Sequence, residues 1–283
     1  MTTTVPRHYS AGLKEEQWAE ELGRDLVEDI QDLEQYPHSL PMVFKNALFH
    51  LGARCTVDQQ AANLETWEAV VNTLQVGSAV FAVTGIDEGT VECRINREMR
   101  TLPTAGPASY ADLGTWLTTF WLAVVCRDQK RMTELCQVPL DRIASSGYDE
   151  FVRHWVDTVQ TYWLQGPDLV EKLTLTVETS HPDVAIAPRG LLQTVLAPPI
   201  QLFYRFVTHN RDGFNEALVQ ALELHKAYWT ADEKRAADPA GHLALAPLAI
   251  ACLAYDGKMP IEVESGYLPH HLLTRGWLGE FDT

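Results

Sequence analysis

The chain is poor in cysteine, in basic residues and in long apolar runs, and each shortage excludes a class of protein. Five cysteines stand in 283 residues: Cys55, Cys93, Cys126, Cys136 and Cys252. They are odd in number, scattered and without CxxC spacing, which speaks for reduced thiols in a cytosolic protein. Most lie in apolar stretches, as small core residues do. Lysine and arginine number 22 against 38 acids, a formal net charge of −16. A surface of that sign repels nucleic acid and anionic membranes, which both need basic residues to bind. It suits a basic partner, and it also serves plain solubility. The longest apolar run, Leu243 to Tyr255, contains Pro247 and is too short to span a bilayer. MTTTVPRHYS at the start has no apolar stretch behind a basic one, so no signal peptide is expected there. Also missing are GxGxxG after a strand, a P-loop, HExxH and GxSxG. No cofactor and no metal site is therefore expected. There is no internal repeat of fixed period.

Helical periodicity is what the chain has in plenty. In SYADLGTWLTTFWLAVVCR, Leu113, Trp116, Leu117, Phe120, Trp121, Val124 and Val125 recur at steps of three and four and share one wide stripe. Ser109 and Asp112 have capping-box spacing at its start, and only other apolar helices can bury so many rings. This helix is expected at the centre of one continuous core. Leu13 to Tyr36 carries Trp18, Leu22, Leu26, Ile30 and Leu33 on one face, with Glu16, Glu20, Glu21, Glu28, Asp29 and Asp32 mostly away from it. That acidic face reads as solvated; an acidic docking surface is the sharper alternative. Further helices are expected over Ser39 to Arg54, Leu64 to Val83, Gln129 to Cys136, Tyr148 to Leu164, Leu191 to Leu196, Pro199 to Val207, Phe214 to Trp229 and Pro247 to Tyr255, and more weakly after Leu169. Asn210 to Gly213 reads as a turn, and Ser180 to Arg189 as the longest loop. Between Gly85 and Pro103, Val91, Cys93 and Ile95 alternate with Glu92, Arg94 and Asn96, the period of a strand. The fold class that results is mostly all-α: stacked antiparallel helical hairpins with one small β-hairpin near residues 89–102. Residues 1–12 form a flexible tail, and 13–283 a single domain.

Candidates for chemistry are few. His154 with Asp157 has ligand spacing, but two ligands make no site. Glu65 and Glu68 flank Trp67 without a histidine beside them and read as surface groups; Arg94, Arg97 and Arg100 stand among acids that pair with them. The C-terminal third concentrates acids and rings: Glu223, Tyr228, Asp232 and Glu233 near His225, then Asp256, Glu262 and Glu264. As a binding surface this set suits a basic protein. A small helical enzyme using His225 with Glu223 or Asp256 is a rival reading, although His225 lies on the apolar stripe of its own helix. A regulatory module with a helical peptide groove is another.

Four long phrases add a resemblance: ARCTVDQQAANLETWEAVVNTLQVGSAVFA, GTVECRINREMRTLP, TWLTTFWLAVVCRDQKRMTELCQVPLD and ALELHKAYWTADEKRAADPAGHLALAPLAIACLAYDGKMPIEVESGYLPHHLL. With them the chain resembles the immunity 49 family of actinobacterial proteins, from about residue 40 to the C-terminus. The family is classed among predicted immunity proteins of bacterial polymorphic toxin systems. The resemblance implies a cytoplasmic, mostly helical protein, not an enzyme, that binds and neutralises a toxin domain encoded nearby. It carries over no catalytic residues. A basic toxin such as a nuclease fits the net charge of −16; neither nucleic acid nor a membrane is expected as partner.

Overall fold

The computed structural model describes residues 2–8 and 13–283. Most of them are helical. The first element is a strand. β1 (Thr3–Val5) pairs in parallel with Val263–Ser265, and Val5 is fully buried. Part of the expected tail is thus woven into the fold; residues 1 and 9–12 of that expectation lie outside the described residues. Its cause is distant: residues 263–265 offer the edge that Thr3, Thr4 and Val5 pair with.

α1 (Leu13–Gln31) buries Ala19, Leu26 and Ile30 and leaves Glu16, Glu20, Glu21 and Glu28 exposed. Pro37 opens a single 3-10 turn, and Pro41 stands in the first turn of α2 (Leu40–Val57), where a missing N–H costs nothing. α3 (Leu64–Thr84) follows after a short loop. Asp58 fixes that loop: its carboxylate accepts from Ala62 N and Asn63 N and from Thr66 Oγ1, at 2.8–2.9 Å. β2 (Thr90–Ile95) and β3 (Glu98–Pro103) form the expected hairpin. Asn96 and Arg97 make its two-residue turn, both left-handed at φ 50° and 66°, as a type I′ turn requires.

α4 (Leu113–Cys126) is the aromatic stripe. Its cap is Asp112, whose carboxylate accepts from Thr115 N at 2.8 Å; Ser109 lies in the preceding turn. The helix starts late because Leu113 N and Ala144 N are both used in a bridge between the two segments. α5 (Gln129–Cys136), α6 (Glu150–Trp163) and α7 (Leu169–Thr179) follow. The threonines that weaken the helical signal of α7 turn their hydroxyls back onto its own carbonyls, Thr174 to Val170 and Thr176 to Lys172. α8 (Arg189–Leu191) runs through a π-helical turn, Leu192–Leu196, into α9 (Ala197–Val207). Pro198 and Pro199 have no N–H to offer the preceding carbonyls, which explains the widened turn. α10 (Arg211–Trp229) begins earlier than expected: Asn210 caps it through Gly213 N, so the presumed turn is its first turn of helix. The short α11 (Glu233–Ala236), then α12 (Leu245–Asp256), β4 (Val263–Ser265) and α13 (His270–Leu273) complete the chain.

Helices that are neighbours in sequence pack in pairs: α1 on α2, α2 on α3, α6 on α7 and α9 on α10. α4 sits among α3, α5, α6, α12 and α13. Buried apolar residues from Val5 to Leu273 form one connected cluster. At its middle Trp116 stacks on Phe120 with centroids 5.1 Å apart, and Trp121, Trp155 and Phe203 continue the chain of rings. Trp116 satisfies its indole N–H on Leu135 O at 2.9 Å, so the ring is buried without an orphaned donor.

Candidate functional site

The C-terminal acids fall into three places. Glu223, Tyr228, Asp232 and Glu233 lie along the end of α10 and the start of α11; the three acids are exposed and Tyr228 is half-buried. Asp232 caps α11 through Arg235 N and pairs with the Arg235 guanidinium at 3.2 Å, which also lies over the Tyr228 ring at 4.3 Å. Glu262 and Glu264 flank Val263 and line different concavities. Asp256 is half-buried and occupied: Arg127 Nε reaches one oxygen at 3.2 Å and Arg275 Nε the other at 2.7 Å. The structure therefore brings four of the seven together and sets three apart.

His225 is buried, with Nε2 on Gly241 O at 2.9 Å and its ring against Tyr267 and Trp229. Burial depresses its pKa to about 4, so the imidazole is neutral. It lines an apolar cavity of about 440 Å³ with Trp121, Trp155, Leu196 and Trp229. A polar cleft around His225, which an enzyme built on it needs, is not what surrounds it.

Beside His225 lies a polar cluster that the periodicity does not reveal. Arg7 Nη2 donates to Thr56 O at 2.7 Å, and Nη1 bonds Cys55 O. His8 Nδ1 meets the buried Tyr267 hydroxyl at 2.5 Å and stacks on His242, whose Nδ1 is 2.6 Å from Thr56 Oγ1. The Thr56 hydroxyl already donates to Gly52 O, so His242 Nδ1 is the donor to it. Burial lowers the His242 pKa to about 3 and raises that of Tyr267 to about 12. Closed in together, these groups lock the N-terminal segment to α2. No sequence signal pairs Arg7 with residues near 55, because the contact is made across the whole fold.

A second surface is concave and acidic. Between α1, α2 and α3 lies a groove of about 920 Å³. Glu16, Glu20, Glu28, Glu65 and Glu68 line it, against Arg24 and Arg54. The acidic face of α1 is therefore one wall of a depression.

The remaining candidates resolve as pairs. Asp157 holds Lys172 at 2.8 Å and His154 faces Glu150 at 3.5 Å. Arg97 pairs with Glu68, Arg100 with Glu98 and Arg94 with Asp282. All five cysteines are free and buried. Among the described residues no group of three or more His, Cys, Asp or Glu is placed to hold a metal ion, and no helix is long and apolar enough to cross a membrane.

Fold and surfaces define a mostly helical protein of high negative charge with its polar clusters engaged in holding the chain together. Residues 58–272 match the family described as Immunity protein 49. That is most of the chain, and the chain belongs to this family. No curated protein and no solved structure matches it.

Proposed function

We propose that this protein binds a cognate toxin domain and neutralises it as a one-to-one complex in the cytoplasm. Membership of the immunity protein family carries the reading. A net charge of −16, with exposed carboxylates on α1, α10 and α11, supports a basic toxin. Charge complementarity of that kind speeds association and rejects acidic competitors. A nuclease is the toxin class that this charge fits best, with carboxylates standing where nucleic acid phosphates would lie. Glu223, Tyr228, Asp232 and Glu233 form the contact patch proposed on α10 and α11, with Glu262 and Glu264 beyond it.

The test is a pull-down with the purified protein from lysate of its host, at low and high salt, with partners identified by mass spectrometry. Expected is a salt-sensitive partner at one-to-one stoichiometry that carries a C-terminal toxin domain. Co-expression with this protein should then relieve the toxicity of that domain. Recovery of no partner while the neighbouring gene is expressed, or capture without relief of toxicity, overturns the reading.

A further inference from the structure

The groove between α1, α2 and α3 holds a charge that the fold does not answer. On α1, Glu16, Glu20, Arg24, Val27, Glu28 and Gln31 recur at steps of three and four, so one strip of the helix faces the groove. α3 offers Glu65, Glu68 and Asn72 on the other side, and the hairpin turn offers Asn96. The floor belongs to α2, through His50 and Arg54, one turn apart. Gly23 of α1 makes room for them: a Cβ there would lie 2.9 Å from His50 Nε2.

Arg54 is only 5% exposed and His50 only 8%. Among the described residues Arg54 makes no ion pair, and its Nε has no hydrogen-bond partner. A guanidinium stays charged at any physiological pH, so its burial demands an acceptor. Two acids of neighbouring segments are engaged elsewhere. Asp58, just past the end of α2, spends its carboxylate on the loop into α3 and on Thr66. Glu68 holds Arg97. His50 is neutral, its pKa lowered to about 4 by burial and by the charge of Arg54, and its Nδ1 also lacks a partner. At the rim the pattern is reversed: Glu16, Glu20, Glu28 and Glu65 are exposed, and among the described residues no lysine or arginine pairs with them.

A negative rim around a buried, unanswered cation is complementary to the opposite arrangement. We propose that this groove binds a basic segment of a protein partner in which one aspartate or glutamate side chain stands among lysines and arginines, with the carboxylate meeting Arg54 and the basic side chains meeting Glu16, Glu20, Glu28 and Glu65. A carboxylate takes two parallel N–H bonds from a guanidinium, which gives the contact direction as well as strength. The groove is a surface separate from the patch on α10 and α11. Naming the partner as the toxin rests on the function proposed above; the chemistry of the groove does not.

The test uses the full chain and two synthetic peptides with blocked ends, identical runs of lysine and arginine around a central aspartate in one and a central asparagine in the other. Binding is measured by calorimetry at low salt. The aspartate peptide should bind roughly tenfold more tightly, the worth of one charge-assisted contact. Arg54→Met should abolish that preference and should not lower the melting temperature, because it removes an unpaired buried charge. Glu20→Gln with Glu65→Gln should weaken both peptides alike. Equal binding of the two peptides, no binding of either, or a preference that survives Arg54→Met overturns the proposal. If the peptides fail while the toxin still co-purifies one-to-one, the groove is wrong and the inhibitor reading stands. If the peptides behave as expected and no toxin binds, the groove stands and the inhibitor reading falls.

Discussion

Arg127 ends α4 in the left-handed region at φ 56° and turns its guanidinium onto Asp256, with Nε 3.2 Å from Oδ2. A left-handed residue other than glycine is strained, and here the side chain explains why it is tolerated. The same guanidinium donates to Val125 O at 2.8 Å, Leu272 O at 2.6 Å and Leu273 O at 2.7 Å. One half-buried arginine thus ties α4, α12 and α13 together.

Arg127→Ala should therefore lower the unfolding free energy by about 3 kcal/mol, since it takes the donor from three carbonyls and leaves Asp256 to Arg275 alone. Arg127→Gly would suit the backbone and should still lose most of that. Urea denaturation of both variants checks it; a glycine variant as stable as the wild type would mean that the backbone, not the guanidinium, matters here.

Acid should weaken the fold through two neutral histidines. Burial holds His225 and His50 at pKa values of about 4, while an unfolded histidine takes its proton near 6.5. Above about 6.5 neither state is protonated and neither histidine affects stability. Below it the unfolded chain gains protons that the folded chain refuses, so stability falls with pH until about 4. Each histidine contributes a loss of about 3 kcal/mol across that window. Urea midpoints followed through the window should fall less steeply for His225→Gln and for His50→Gln than for the wild type.

Gly77 lets α3 approach its neighbours. A Cβ there would lie 2.5 Å from Thr119 Oγ1 and 2.8 Å from Phe44 Cε2. Gly77→Ala should cost about 1–3 kcal/mol, although alanine is the better helix former. A rise in melting temperature would show that α3 and α4 can move apart freely.

The five thiols should be silent in the native protein. All are buried, and burial raises the pKa of Cys93 to about 11 and those of Cys55 and Cys252 to about 12. A thiol-reactive dye should label none of them until denaturant is added. Fast labelling of the native protein would contradict the packing around them.

Combined substitution of Tyr228, Asp232 and Glu233 by alanine tests the patch on α10 and α11. Asp232 caps the short α11, so a stability loss of about 1 kcal/mol is expected, with the fold intact by circular dichroism. Affinity for the captured toxin should fall. Unchanged affinity would remove the patch from the contact surface.

Much of the fold was legible in the order of residues. The stripe Trp116, Phe120, Val124 predicts α4, and the alternation of Val91, Cys93 and Ile95 predicts the hairpin. Both follow from neighbours within a few positions of each other, which is the range over which local geometry acts. Where two local signals compete, spacing alone does not decide between them. Ser109 has the right spacing for a cap but Asp112 takes the role, and Asn210 to Gly213 has the residues of a turn although Asn210 caps a helix there.

The candidate surfaces were legible only in part. Exposure of Glu223 follows from helix periodicity, which puts it off the apolar stripe of α10; Asp232 and Glu233 lie beyond the end of that helix. The engagement of Asp256 by Arg127 depends on a contact 129 residues apart, and the strand at Thr3–Val5 on one with residues 263–265. Arg54 looks like any arginine at the end of a helix until α1 and α3 close over it. By itself the sequence determined the helices, the hairpin, the charge and the family, because each is a property of short segments or of their sum. Tertiary structure alone decided which charges meet a partner and which stay unanswered, because pairing across the fold depends on where the backbone puts two side chains and not on their spacing along it.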